Sequence, residues 1–190
     1  QKMSMEDKIR QLTQLHDKYF NPETKNAMTG VDTPLKLSKQ DVYGAGSVLN
    51  VTKAEDVLKV QEEYLRENEN GIPLSFMMDV IHGFRTIYPI PLGMGASFDP
   101  ALVDECSRMA AKEASAGGVQ VTFTPMVDYV RDARWGRVME TCGEDPYLNS
   151  VMGAVQVRAF QGEDLSDQDH LATCVKHFAA YGGAEAGRDY

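Results

Sequence analysis

A cycle of buried strand, polar loop and helix repeats along the chain, and only a few folds can accommodate such a repeat. Its clearest example is the continuous apolar run from Pro73 to Met78, which is typical of a strand buried on both faces. The run ends at Asp79, and a loop rich in proline and glycine follows. Asp99 and Pro100 then predict a helix start, as N-cap and first helical residue, and Gly117 predicts its end.

Three further predicted strands lie at Ser47–Leu49, Val119–Met126 and Leu171–Val175. Helices are predicted after the first two of these, with Thr52 and Asp145 as N-caps, and Ser4 is expected to cap a helix near the N-terminus. Residues 17–33 are expected to form a loop. Repeated strand–helix units indicate parallel strands joined by right-handed crossovers, hence an α/β fold.

Two α/β architectures fit this order, a doubly wound sheet and a (β/α)₈ TIM-like barrel. A dinucleotide-binding sheet is disfavoured because the first strand-to-helix loop lacks a Gly-x-Gly-x-x-Gly phosphate loop. Asp79, Asp128 and the pair Lys176–His177 each follow a predicted strand, where barrel enzymes build their sites. The sequence therefore predicts a barrel, of which the chain covers roughly the first half, because a whole barrel needs about 250 residues.

Composition excludes several classes of partner. The formal net charge is −9, from 19 basic and 28 acidic residues, which argues against binding to nucleic acid or an anionic membrane. No apolar stretch approaches the roughly 20 residues of a membrane span. The three cysteines, Cys106, Cys142 and Cys174, are far apart and predict neither a disulfide framework nor a metal site.

Asp79 and Arg85 form the first candidate constellation. A carboxylate after a buried strand can accept hydrogen bonds from two sugar hydroxyls, and Arg85 can donate to others. The alternative, which the residues leave open, is a structural Asp79–Arg85 pair that fixes the loop.

The second constellation is the charged segment from Asp128 to Arg137. Arg131, Asp132 and Arg134 are expected to form a salt-bridge network within the loop. Trp135 is expected to pack in the interior, although it could instead stack on a sugar.

The third constellation is Lys176–His177, where Lys176 would be a fixed cation and His177 a neutral donor. Neighbours on a regular strand point to opposite faces, so both can face one pocket only if the backbone is irregular.

Taken together, these segments resemble the N-terminal domain of glycoside hydrolase family 3, and especially its bacterial periplasmic β-glucosidases. The matching stretches are Gly71–Leu74, Met78–Gly83, Pro89–Leu92, Thr124–Asp128, Arg131–Arg137, Gly143–Tyr147, Lys176–Gly182 and Arg188–Tyr190. The resemblance implies a barrel followed by an α/β sandwich. Residues 1–190 would then be the N-terminal part of the barrel domain, with the rest of the protein expected beyond them.

The resemblance also implies the site and the reaction. The expected sugar-binding residues are Asp79, Arg85, Arg137, Lys176, His177 and Arg188. The expected activity is that of a retaining, exo-acting β-glucosidase, with its Asp nucleophile and Glu acid/base downstream, so we expect the 190 residues alone to be inactive. No metal or cofactor is implied, and the substrate would be an oligosaccharide or aryl β-glucoside. The alternatives are a β-xylosidase of the same family and a non-catalytic sugar-binding protein.

Two further expectations come from the resemblance. It suggests a non-proline cis peptide in the segment from Lys176 to Phe178, which would supply the irregular backbone. It also suggests a periplasmic or secreted protein, with a cytoplasmic location as the alternative. The segment after Phe178 lacks the Pro-Gly and His-Asp features of the family's N-acetylglucosaminidases, which disfavours that subclass.

Overall fold

A computed structural model describes residues 3–24 and 35–188 of the chain. It divides into two compact units, one formed by Gln1–Met78 with Gly117–Val119, the other by Asp79–Ala116 with Gln120–Tyr190. Most of the loop predicted at 17–33 and the last two residues of the Arg188–Tyr190 stretch lie outside the described residues.

The first unit alternates helices with three short parallel strands. Its elements are α1 (Met5–Gln11), β1 (Gln14–His16), α2 (Lys39–Gly44), β2 (Ser47–Leu49), α3 (Ala54–Glu67) and β3 (Ser75–Met78), with a 3₁₀ turn at Asp17–Tyr19. Val48 of β2 pairs with Leu15 of β1 on one side and with Phe76 of β3 on the other. Strand β1 and helix α2 were not predicted, whereas β2, α3 and β3 were.

The core of the first unit lies between the strands and α3. Val48 and Phe76 pack with Val60 and Tyr64, which are one helical turn apart on α3. Ser4 caps α1 as predicted, through a hydrogen bond from the Asp7 backbone N–H. The prediction that Thr52 caps α3 is wrong. The N-cap residue is Lys53, and its side chain makes no capping hydrogen bond. The negative charges of Glu55 and Asp56 in the first turn instead interact favourably with the positive end of the helix dipole.

The second unit contains three helices and two parallel strands. Its elements are α4 (Pro91–Ala96), α5 (Pro100–Ala116), β4 (Val121–Thr122), α6 (Pro146–Gln161) and β5 (Ala172–Thr173), with 3₁₀ turns at Val138–Glu140 and Tyr181–Gly183. Val121 pairs with Ala172 and Thr122 with Thr173. Helices α5 and α6 pack against each other. Asp99 and Asp145 accept hydrogen bonds from the first turns of α5 and α6, so both predicted N-caps are confirmed.

Strands β4 and β5 are shorter than predicted, because Pro125 has no N–H to donate and interrupts the ladder. Pairing resumes after it, where Met126 forms an isolated parallel bridge with Lys176. Helix α4 occupies a segment that was predicted as loop. Its Gly95 allows close packing, since a Cβ there would lie 2.6 Å from the carbonyl oxygen of Cys142.

All three cysteines are free thiols, of which Cys106 and Cys142 are buried and Cys174 is exposed. Within residues 3–24 and 35–188, no helix has both the length and the apolar character needed to cross a bilayer.

Candidate functional site: a cluster of ion pairs at the strand ends

The site lies in the second unit and begins with an ion pair between Asp79 and Lys176. Asp79 follows β3 directly, and Lys176 comes three residues after β5. The Lys176 Nζ lies 2.5 Å from the Asp79 Oδ1. The Lys176 side chain is 13% exposed and that of Asp79 is 45% exposed. A nearly buried ammonium therefore holds in place a carboxylate that is open to solvent.

The sequence left open a structural pair between Asp79 and Arg85. In the described part of the chain, the ion pair of Asp79 is formed with Lys176 instead. The backbone of Lys176 is itself fixed. Its N–H donates to the Pro125 carbonyl at 3.0 Å, and its carbonyl accepts from the Val127 N–H at 2.8 Å.

His177 is held by Asp128, which lies in the loop after β4. The Oδ2 atom of Asp128 accepts from the His177 backbone N–H at 3.0 Å and lies 2.8 Å from the ring Nδ1. On the other side of the ring, Nε2 lies 3.4 Å from Nη1 of Arg137. Arg137 only donates, so Nε2 accepts there, whereas Nδ1 donates to the Asp128 carboxylate.

Arg137 and Glu140 form a two-point ion pair across one turn of 3₁₀ helix. Nε and Nη2 of Arg137 each lie 2.6 Å from an oxygen of Glu140. These bonds raise the pKa of the guanidinium further above its ordinary value. They also lower the pKa of the Glu140 carboxyl, and the nearby charge of Lys176 acts in the same direction. Both groups are therefore ionised at neutral pH.

The aromatic side chain of Tyr181 packs against both the His177 ring and Trp135. The Tyr181 ring meets the His177 ring edge-to-face, with centroids 4.7 Å apart, and meets Trp135 in the same way at 5.2 Å. The Arg137 guanidinium lies 5.5 Å from the centroid of the Tyr181 ring. Trp135 is 1% exposed, so the prediction of a packing role is confirmed and stacking on a sugar is excluded in this conformation.

Gly182 directly follows Tyr181, and its lack of a side chain lets this segment lie close to the loop after β4. A Cβ at this position would lie 2.3 Å from the Tyr129 carbonyl oxygen and 3.2 Å from the Asp128 Cβ. The Gly182 carbonyl accepts from the Arg131 N–H in the same loop. No side chain larger than hydrogen fits there without moving one of the two segments.

The backbone that presents Lys176 and His177 is irregular, as predicted. The peptide bonds Lys176–His177 and Phe178–Ala179 are both cis. The two neighbouring side chains contact Asp79 and Asp128, respectively.

A second, more exposed ion pair lies in the same loop. Nη2 of Arg134 lies 2.6 Å from Oδ2 of Asp132, and the Asp132 carboxylate also accepts a hydrogen bond from the Ala186 N–H. The bonds from Arg134 hold the pKa of Asp132 well below its ordinary value. The predicted salt-bridge network is thus confirmed for these two residues, whereas the bond described for Arg131 comes from its backbone.

The sequence matches the family described as the glycosyl hydrolase family 3 N terminal domain over residues 4–190. The chain belongs to this family. A periplasmic β-glucosidase of Salmonella typhimurium is 38% identical over the whole chain, which covers 23% of that protein. A putative β-xylosidase of Formosa agariphila is 30% identical, again over the whole chain and 26% of that protein.

Solved structures of the family are also similar to the chain. A β-glucosidase mutant from Listeria innocua in complex with laminaribiose has a TM-score of 0.89 and 49% identity over 97% of the chain and 26% of that protein. The same enzyme with glucose has a TM-score of 0.87 and 47% identity. This likeness, with the parallel strand–helix order, confirms the predicted class, a (β/α)₈ TIM-like barrel. The chain spans about a quarter of the length of these relatives.

Two of the family positions predicted from sequence, Arg85 and Arg188, have described contacts with residues outside the cluster. Arg85 donates its backbone N–H to Glu113 of α5, and its guanidinium lies 5.4 Å from the centroid of the Phe84 ring. Arg188 is exposed, and its N–H donates to the Glu185 carbonyl. Within the described part of the chain, neither guanidinium has an ion pair with Asp79. Their sugar-binding roles remain predictions.

The cluster contains two residues that sequence reasoning did not place in the site, namely Glu140 and Tyr181. Asp128 was placed at a strand end on the site edge of the sheet but was given no partner and no role. The signal for Glu140 was its spacing of three residues from Arg137, which suits an ion pair across a helical turn. Tyr181 gave no signal, because its contact with the His177 ring depends on the irregular backbone between them.

Proposed function

We propose that the chain is the part of a retaining, exo-acting β-glucosidase that holds the non-reducing terminal glucosyl residue. The observation that carries the proposal is the Asp79–Lys176 pair, because it fixes a solvent-open carboxylate at the strand ends. Such a carboxylate can accept hydrogen bonds from two neighbouring hydroxyls at no cost in reorganisation. Several relatives are named β-glucosidases, which fits this role.

The other members of the cluster supply complementary chemistry. Lys176 and Arg137 offer positively charged donors and Asp79 offers acceptor oxygens, so the site can match both the donor and the acceptor capacity of sugar hydroxyls. His177 accepts from Arg137 at Nε2 and so helps to place that donor. A glucosyl ring held by these groups would be oriented for attack at its anomeric carbon. The Asp nucleophile and Glu acid are expected outside these 190 residues, about 5–5.5 Å apart as in retaining enzymes.

The proposal extends to domain organisation and location. Residues 1–190 would be the N-terminal part of the barrel domain, completed by further barrel segments and an α/β sandwich. The substrate would be an oligosaccharide or an aryl β-glucoside. A periplasmic or secreted location is supported by the name of the Salmonella typhimurium relative.

A β-xylosidase is the second candidate, because the Formosa agariphila relative is named as one. Xylose lacks the hydroxymethyl group of glucose, so the two sugars differ only at one edge of the ring. The ratio of kcat/KM for nitrophenyl β-glucoside and nitrophenyl β-xyloside, measured on the full-length protein, separates the two candidates. A protein that binds glucose but hydrolyses neither substrate would be the non-catalytic alternative.

The direct test is Asp79→Asn in the full-length protein. The variant loses the negative charge that would hold two hydroxyls, and each charge-assisted bond contributes about 1.5–3 kcal/mol. We expect kcat/KM for an aryl β-glucoside to fall about 100-fold or more, and kcat to fall with it if the bonds tighten in the transition state.

Asp104→Asn provides the matched control, because Asp104 pairs with Arg108 on the exposed side of α5 and loses the same charge. It should retain wild-type kinetics. Near-normal turnover by Asp79→Asn would contradict the proposed role of Asp79 and leave its pair with Lys176 as a structural feature only.

A further inference from the structure

Asp128 is a buried carboxylate whose two described hydrogen bonds both come from His177. Its side chain is 3% exposed, and a single oxygen, Oδ2, meets both the backbone N–H and the ring Nδ1 of His177. Burial of a carboxylate is costly unless hydrogen bonds compensate for the lost water. The position of Asp128 is thus tied to one residue of the sugar site, although Asp128 has no described contact with Asp79, Lys176 or Arg137.

These contacts determine where the ring proton of His177 lies. An ionised carboxylate only accepts hydrogen bonds, so Nδ1 must carry the proton that faces Asp128. A guanidinium only donates, so Nε2 must present its lone pair to Nη1 of Arg137. The opposite tautomer would place a lone pair against the carboxylate and an N–H against an N–H.

We propose that Asp128 is a positioning residue that keeps His177 in the tautomer with its proton on Nδ1 and thereby keeps Nε2 available as an acceptor. The inference deepens the proposed function, and its kinetic consequence rests on it. The bond to the backbone N–H fixes the carboxylate relative to the chain, and the bond to Nδ1 fixes the ring. The Tyr181 ring then limits ring rotation from the side. Partners that orient metal-bound histidines in this way typically contribute 10- to 100-fold to metal affinity or activity, and we expect an effect of the same size for this ring.

The experiment uses the full-length protein and compares wild type with Asp128→Ala and Asp128→Asn. The amide oxygen of the Asn variant can still accept both N–H groups, whereas the Ala variant offers no acceptor. The ¹⁵N shifts of labelled histidine report the tautomer, and the His177 signal is assigned by its loss in His177→Gln. Asp104→Ala, which removes an exposed carboxylate from α5, serves as the control.

We expect wild type and Asp128→Asn to show the proton on Nδ1, and Asp128→Ala to shift it toward Nε2. We expect kcat/KM on an aryl β-glucoside to fall roughly 10- to 100-fold in Asp128→Ala and to recover most of that loss in Asp128→Asn. Asp104→Ala should match wild type in both measurements.

Three results would overturn the proposal: a wild-type ring protonated on Nε2 alone, an Asp128→Ala variant with the wild-type tautomer, or a failure of Asp128→Asn to recover activity while it folds. If Asp128→Ala does not fold, the tautomer and kinetics of Asp128→Asn decide. A wild type without glycosidase activity would contradict the proposed function but not this inference, because the ¹⁵N shifts test the tautomer independently of turnover.

Discussion

Two arginine–carboxylate pairs lie in the loop between β4 and α6 and differ mainly in their surroundings. In each pair the shortest contact between nitrogen and oxygen is 2.6 Å. The side chain of Arg134 is 71% exposed and that of Asp132 is 17% exposed, whereas those of Arg137 and Glu140 are 27% and 26% exposed. The two pairs therefore differ in the exposure of the arginine. Arg137 also lies beside the Tyr181 ring and His177, whereas the partner described for the Arg134 side chain is Asp132.

The comparison shows why contact distance alone does not identify a functional ion pair. Solvent screens the Arg134–Asp132 pair, and exposed pairs of this kind contribute little. The Arg137–Glu140 pair has lost much of its water, so removal of one partner leaves a charge that neither water nor protein fully compensates. An arginine–carboxylate pair therefore only holds the loop together in one place and belongs to the candidate site in the other.

The sharpest test of this contrast is Arg137→Ala in the full-length protein. The variant loses the donor to His177 and leaves the Glu140 carboxylate partly buried without its partner. In the proposed role Arg137 donates two charge-assisted bonds of about 1.5–3 kcal/mol each to the sugar, so their loss predicts a fall in kcat/KM of about 100-fold or more for an aryl β-glucoside. Steady-state kinetics measure kcat/KM. A value within a few-fold of wild type would show that Arg137, like Arg134, only stabilises the loop.

A smaller effect is expected for Glu140→Gln, which keeps the shape of the side chain and removes its charge. In this variant the amide oxygen can still accept one hydrogen bond from Arg137, but the amide NH₂ group faces the other N–H donor of the same guanidinium. We expect a loss of roughly tenfold in kcat/KM, because one charge-assisted bond is lost and the arginine shifts.

The same variant makes a prediction about pH. The pKa of Glu140 is lowered in the folded protein from its ordinary value of 4.5, mainly by the bonds from Arg137. The pair therefore adds stability above pH 4.5, and this contribution is lost as the pH falls through the lower folded-state pKa. The Tm difference between wild type and Glu140→Gln should be largest near neutral pH and should narrow as the pH falls below 4.5. A gap that widens on acidification would contradict the assignment.

The smallest effect is expected for Arg134→Ala. Its partner Asp132 keeps the hydrogen bonds from the backbone N–H groups of Ala186 and residue 134, so the backbone conformation of the loop should not change. We expect kcat/KM within about twofold of wild type and little change in Tm, because the pair is exposed and screened. A loss as large as that of Arg137→Ala would remove the distinction between the two pairs.

The sequence predicted the central part of the site for a simple physical reason. The carboxyl ends of parallel strands lie at one edge of a sheet, so polar residues that follow buried strands meet there. This rule brought Lys176 and Asp128 to attention, and the structure pairs them with Asp79 and His177. The helix caps at Asp99 and Asp145 were equally predictable, because capping depends on a few adjacent residues.

Features that depend on distant contacts were missed. Strand β1 has only three residues, Gln14–His16, and its polar ends hide the apolar pattern of a buried strand. The glycines of α4 predicted a loop, because propensity does not register that Gly95 packs against the backbone of Cys142. The expected role of Arg188 came from resemblance alone, and no local pattern indicated that the backbone of Arg85 would be tied to α5.

The adjacent glycines at 182 and 183 have a practical consequence for protein engineering. A Cβ at Gly183 would meet nothing within 4 Å, whereas one at Gly182 would collide with the Tyr129 backbone and press on Asp128. Saturation libraries aimed at altered sugar preference should therefore spare position 182 and diversify position 183. The latter offers a route to new contacts near the cluster that does not disturb the loop on which His177 depends.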